Sequence, residues 1–169
     1  MSEIVRGAAW KFGNDISTDV LSPGAFAVDP VEIRKLHCLE AVDPRFAGEV
    51  QPGDIVVAGT NFGCGSSRET AAENLKELGV ACVVADSLSR LFMRNAVAVG
   101  LPVLVCPGAH DALIAGEEIE IDLASGTVTA SRSIAGGAAN LQAKPLPEEM
   151  RRILARGGIL AALRELAPK

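Results

Sequence analysis

Ile55-Val56-Val57-Ala58-Gly59-Thr60-Asn61-Phe62-Gly63-Cys64-Gly65-Ser66-Ser67-Arg68-Glu69 is the stretch from which the rest of the chain can be read. Its first four residues form an unbroken apolar run, the pattern of a strand buried on both faces, and the turn residues Gln51-Pro52-Gly53-Asp54 introduce it. A glycine-rich bend follows. Beyond it Ala71, Ala72, Leu75 and Leu78 fall at helical spacing before Gly79, so the unit reads strand, loop, helix.

The same pattern recurs downstream. Residues 81–85 (ACVVA) predict a second strand, Leu88, Leu91, Phe92 and Ala96 a helical stripe ending near Gly100, and residues 102–105 (PVLV) a third strand. Strands alternating with helices imply an α/β fold with parallel pairing and right-handed crossovers. Upstream, residues 4–12 predict a strand stopped by Gly13-Asn14-Asp15. Residues 16–50 carry Pro23, Pro30 and Pro44 and show no sustained period beyond a short helix over 30–36, the signature of a long segment that binds something. Past Pro107, residues 118–123 (EIEIDL) alternate strictly, and Ser125-Gly126 predicts a two-residue hairpin into residues 127–130. Pro147 stands at an expected first helical position, with Met150, Ile153 and Leu154 as its stripe, and a second short helix closes the chain over 159–166. The Ala- and Gly-rich residues 133–143 are the expected flexible piece. No repeat or linker divides the chain, so a single domain over residues 1–169 is expected.

Composition excludes several functions. Hydrophobic residues at 49% against 22% charged argue for a packed core rather than disorder. Sixteen Lys and Arg against 21 Asp and Glu give a net charge of -5, with no basic run to meet nucleic acid. No apolar stretch reaches the roughly 18 residues of a membrane span, and the N-terminus lacks a secretory pattern, so a cytoplasmic protein is expected. With aromatics at 4% and no Tyr, the core must be aliphatic. Cys38, Cys64, Cys82 and Cys106 form no Cys-x-x-Cys pair, and with only two histidines the chain is expected to hold no metal or cluster of its own.

The bend is not a P-loop, because no Lys-Ser or Lys-Thr follows its glycines. It is not a dinucleotide fingerprint, because Arg68 stands where a third glycine belongs, nor a nucleophile elbow. What remains is a loop between a parallel strand and a helix N-terminus, where open α/β sheets bind ligands and free N–H groups favour anions. Two hydroxyls and a guanidinium suit a carboxylate or a phosphate. An equally weighted alternative is structural: Ser66-x-x-Glu69 matches a capping box.

Residues 61–69 (NFGCGSSRE), followed by 91–96 (LFMRNA) and 100–102 (GLP), resemble the small subunit of 3-isopropylmalate dehydratase, the swivelling domain of the aconitase superfamily. Residues 15–19 (DISTD), 37–40 (HCLE) and 43–46 (DPRF) resemble that family in the same order, and the overall length resembles its short, archaeal-type form. The resemblance implies a swivelling β/β/α domain that docks on a large subunit carrying a four-iron four-sulfur cluster, this chain binding no cofactor itself. It implies a heterodimer or heterotetramer acting on a small hydroxy-dicarboxylate, most simply 3-isopropylmalate in leucine synthesis. By the same resemblance Ser66 is the residue that takes the proton beside the carboxylate, Ser67 its substrate-contacting neighbour, Arg68 a carboxylate-binding arginine and Asp19 an active-site aspartate. Cys64 is expected to be structural.

The sequence departs from the family in two places. Thr70 stands where a histidine is usual. The recognition loop, within about residues 20–36, reads Gly24-Ala25-Phe26-Ala27-Val28-Asp29 where a Tyr-Leu-Arg type motif is common, leaving Phe26 and Val28 to face an alkyl group. Isopropylmalate, citramalate and dimethylmalate all satisfy that chemistry, and a non-catalytic anion-binding subunit stands as the alternative of a different class. The face bearing the bend and residues 23–29 is expected to be the more apolar one, as permanent contacts are.

Overall fold

The computed structural model describes residues 3–166. Seven strands form one sheet in the order β4-β3-β2-β1-β5-β6-β7. They are β1 (Ile4–Lys11), β2 (Ile55–Ala58), β3 (Cys82–Ala85), β4 (Val103–Val105), β5 (Glu118–Asp122), β6 (Thr127–Ala130) and β7 (Ala139–Gln142). From β4 to β1 the pairing is parallel, and from β1 through β5, β6 and β7 it is antiparallel. The quoted apolar run is β2, central and buried at every residue. Its side chains alternate between two cores, Val56 and Ala58 on one side and Ile55 and Val57 on the other, as a strand's two-residue period requires.

Helices α4 (Glu69–Glu77) and α5 (Arg90–Val99) cover the first face. Leu75 of α4 and Phe92 of α5 are fully or almost fully buried there, each contributing about 1.5–3 kcal/mol. Gly100 ends α5 in the left-handed region, as its place after the stripe suggests. The second core lies under the antiparallel strands, with Ile119, Ile121 and Val128 packed with Ile55, Leu104 and Leu113. Short α6 (Ala109–Ala112) and α7 (Glu148–Ala155) border it, the latter through Leu154 and Met150, and α8 (Ile159–Leu166) follows.

The irregular residues between β1 and β2 are a packed layer, with α1 (Thr18–Leu21), α2 (Val31–Arg34) and α3 (Phe46–Glu49) separated by turns. Leu21, Cys38, Leu39 and Phe46 are completely buried in the first core. Phe46 meets Trp10 and Phe12 edge-on at ring separations of 5.2 and 5.3 Å. The helix expected over 30–36 is there, as α2 followed by a tight turn over Lys35–His37.

Three local expectations need correction. The β5–β6 hairpin has a four-residue connection, because Asp122 accepts the N–H groups of Ala124 and Ser125 and its carbonyl takes that of Gly126, which turns the chain before Thr127 pairs with Asp122. The stretch expected to be flexible contains β7, which buries Ala139 and pairs all four residues with β6. Pro147 is the residue before α7 rather than its first member.

Candidate active site

The site grows from the adjacent carboxyl ends of the parallel strands β1 and β2. After the strands end, the two segments continue side by side. Asp15 N–H bonds the Thr60 carbonyl (2.9 Å), Gly63 N–H the Ile16 carbonyl (2.7 Å) and Thr18 N–H the Cys64 carbonyl (2.8 Å). The loop after β3 joins on the other side, where Ser87 accepts from Asn61 N–H through its hydroxyl (2.7 Å) and from Phe62 N–H through its carbonyl (3.1 Å). Asp15 and Asn61 both adopt left-handed backbone (φ 55° and 61°), and the Asn61 side-chain amide donates to the Asp15 carboxylate at 2.8 Å. Strain at non-glycine residues persists where the surroundings over-determine it. Gly63 (φ 75°) passes so close to Phe92 that a Cβ would lie 2.3 Å from that side chain.

This zipper delivers Asp19, the first-turn acid of α1, to Arg68. An Arg68 Nη1 to Asp19 Oδ1 distance of 2.6 Å makes an ion pair, and the same Nη1 donates to the Ser22 carbonyl at 2.9 Å. Arg68 Nε and Nη2 have no acceptor among the described residues. A guanidinium held at one corner with its other donors open can take a carboxylate. The Arg68 side chain is 29% exposed and that of Asp19 63%. Water therefore screens the pair, which serves orientation more than stability. Ser66 and Ser67 are exposed immediately before Arg68.

The capping box does not form. Arg68 is the N-cap residue of α4, in extended backbone, and no side chain caps the helix, leaving Ser66 two residues too early. Ser66 and Ser67 are thus left exposed beside an uncapped helix start. Thr70, the departure from the family, has its own partner: its hydroxyl lies 2.9 Å from that of the fully buried Ser22. Ser22 thus fastens the start of α4 twice, by its hydroxyl to Thr70 and its carbonyl to Arg68.

Phe26 and Val28 sit apart from this group. Phe26 stacks flat on His37 at 3.4 Å, and His37 Nδ1 lies 2.7 Å from Glu40 Oε2. Val28 is 95% exposed. Neither is joined to Ser66, Ser67 or Arg68 by a hydrogen bond, ion pair or ring contact among the described residues. Their segment is held from below by residues that sequence reasoning missed. Buried Arg34 donates to the Asp29 carbonyl and to Asn74 Oδ1, pairs with Glu73, and Asn74 passes the link to the Leu21 carbonyl. Asn74 carried a signal, since it lies on the buried stripe of α4 three residues after Ala71, and a polar group there requires partners. Arg34 carried none.

The cysteines contribute backbone and bulk. Cys38 and Cys82 are completely buried, which pushes their thiols well above the ordinary range. Cys106 is raised by burial first and by the nearby Asp86 second. Cys64 is half-buried and offers its carbonyl to Thr18. Among the described residues no group of three His, Cys, Asp or Glu is arranged to hold a metal ion. No helix among them is long and apolar enough to cross a membrane.

A family model described as the aconitase C-terminal domain matches residues 31–107. The 3-isopropylmalate dehydratase small subunit 1 of Methanopyrus kandleri is 47% identical, over 100% of this chain and 98% of its own length. The chain belongs to the 3-isopropylmalate dehydratase small-subunit family. A second relative in this family, the 2,3-dimethylmalate dehydratase small subunit of Eubacterium barkeri, is 42% identical over 92% of this chain and 93% of its own. The crystal structure of a 3-isopropylmalate dehydratase from Methanocaldococcus jannaschii superposes with a TM-score of 0.86 at 34% identity, covering 96% of this chain and 95% of that one. In this small-subunit fold the zipped strand ends and the uncapped start of α4 form one presented edge.

Proposed function

We propose that this chain supplies the proton-transfer half of a two-chain hydro-lyase, completed by a large subunit that holds the iron-sulfur cluster. The observation that carries this is Arg68, fixed by Asp19 and Ser22 with Nε and Nη2 open, beside two exposed serines at an uncapped helix start. Arg68 binds a substrate carboxylate, Ser67 contacts the substrate, and Asp19 keeps the guanidinium oriented before substrate arrives. Ser66 takes the proton from the carbon next to that carboxylate. A serine does this only as an alkoxide, which the guanidinium charge and the α4 amides favour. Negative charge then develops on the carboxylate and is held by the same groups. On the large subunit the cluster would supply the Lewis acid for departure of hydroxide. Loss of a proton and hydroxide leaves the unsaturated acid, and their return with the two carbons exchanged gives the isomer.

The substrate is an alkyl-substituted malate, 2-isopropylmalate converted to 3-isopropylmalate being the simplest, with citramalate and 2,3-dimethylmalate as the nearest alternatives. No cation lies in residues 23–29 to bind a third carboxylate. Val28 is exposed and Phe26 is half-buried against His37, and a docked partner would enclose both with the alkyl group. We place the complex in the cytoplasm as a heterodimer or heterotetramer. The whole chain acts as one swivelling unit, with a recognition loop over about residues 20–36 and a helical tail over about residues 147–167, of which residue 167 lies outside the described residues. The test is anaerobic co-expression with the large subunit, cluster reconstitution, and an ultraviolet assay for the unsaturated acid with isopropylmalate, citramalate, dimethylmalate and homocitrate in parallel. Turnover of an alkyl malate that falls by about 100-fold or more in Ser66→Ala is expected. A complex with an intact cluster that turns over none of them, or a Ser66→Ala variant with full activity, would overturn the assignment.

A further inference from the structure

Thr18 holds a group that the mechanism above does not use. The residue is 1% exposed, and its Oγ1 is buried with no hydrogen-bond partner. Its backbone is fixed, because Thr18 N–H donates to the Cys64 carbonyl. Its hydroxyl stands against the glycine-rich bend, so that a Cβ on Gly65 would lie 3.2 Å from Oγ1. A buried hydroxyl without a partner is uncommon in a folded protein and calls for a reason. Across from it, the N–H groups of the exposed Gly65, Ser66 and Ser67 donate to no backbone carbonyl among the described residues and are free to take a new partner. Gly65 lies in the left-handed region, so the Gly65–Ser66 peptide can turn at little cost while the Cys64 carbonyl stays on Thr18 N–H.

We propose that Thr18 is a positioning residue for Ser66, its hydroxyl bonding the Gly65–Ser66 peptide once the site is completed by partner and substrate. Thr18 Oγ1 is sealed from solvent and reaches the substrate only through this loop. In the free chain the bend is open, and Thr18 is the unused half of a latch. Closure pairs the hydroxyl, fixes the peptide before Ser66 and aims Ser66 Oγ at the reacting carbon, while Arg68 stays where Asp19 and Ser22 hold it. The inference rests on the proposed role of Ser66.

The test compares wild type, Thr18→Val and Thr18→Ser. Valine keeps the shape and removes the hydroxyl, whereas serine keeps the hydroxyl. In the reconstituted complex Thr18→Val is expected to lower kcat by about 10- to 100-fold, as a misaimed catalytic group does, with KM within about twofold, and Thr18→Ser is expected to retain most of the rate. The free Thr18→Val chain is expected to unfold at a urea concentration no lower than wild type, because in that state its hydroxyl bonds nothing. A second readout needs no turnover: amide exchange of residues 65–67 should slow on assembly with substrate in wild type and Thr18→Ser, and not in Thr18→Val. Wild-type kcat in Thr18→Val, equal exchange in all three proteins, or a destabilised free Thr18→Val chain would each overturn the inference. A wild-type complex that turns over no acid would sink the role of Ser66, and the exchange comparison would still decide whether Thr18 latches the loop.

Discussion

Arg68 shows how a single side chain can be both fixed and available. Nη1 is committed to Asp19 and the Ser22 carbonyl, while Nε and Nη2 remain open. Lysine would keep the charge and lose the fork. Arg68→Lys in the reconstituted complex is therefore expected to lower kcat/KM by about 10- to 100-fold, most of it in KM if the carboxylate is held equally in ground and transition states; steady-state kinetics on the preferred acid checks this. The placement of the candidate residues was legible in the sequence, because Ser66, Ser67 and Arg68 follow a glycine-rich bend between a strand and a helix. The bonding of Thr70 was not, since its partner Ser22 lies 48 positions away and only the zipper brings them together. Nor was the empty bonding capacity of Thr18, which depends on the conformation of Gly65 rather than on any neighbour in sequence.

Among the elements, those whose signal is local periodicity match the sequence reading. Strands β2 and β3 and helices α4 and α5 each bury a stripe that the sequence displays, and α7 and α8 fall near the expected positions. Strand β7 was illegible because it is an edge strand with one buried side chain, Ala139, and no β-branched residue. The layer between β1 and β2 was illegible as structure because its order comes from anchors spaced irregularly along it. Asn74 is the test of that layer, joining α4 to Arg34, which holds the Asp29 carbonyl, and to the end of α1. Asn74→Ala leaves the Arg34 Nε and the Leu21 carbonyl buried without partners, and is expected to cost about 1.5–3 kcal/mol in chemical denaturation. An unchanged midpoint would mean the layer is held by its apolar anchors alone.

Over the whole molecule the sheet is two half-sheets joined along β1, and it curls toward closure. The chain leaving β7 returns to the opposite edge, where Lys144 N–H bonds the Val105 carbonyl of β4 and covers an edge that would otherwise be open. The antiparallel half carries a pH-sensitive tie. Arg132, and after it Ser131, bond the Glu117 carboxylate and hold it below the usual carboxylate range. A depressed folded pKa means that this stabilisation is present above the ordinary value of 4.5 and is lost as the pH falls through the lower folded value. Glu117→Gln should accordingly flatten part of the decline in urea midpoint below about pH 4.5, leaving the share of Asp43 and Asp122, which are also depressed. An identical acid limb in wild type and variant would count against the tie. The layer between β1 and β2 has its own built-in lamp. Trp10 is the one tryptophan, there is no tyrosine, and its indole lies edge-on to Phe46 with its N–H on Asp54 at 2.9 Å. Emission excited at long ultraviolet wavelengths thus comes from one place, the seam between β1 and the segment that follows it, and its colour reports whether that segment is seated while the rest of the chain stays dark.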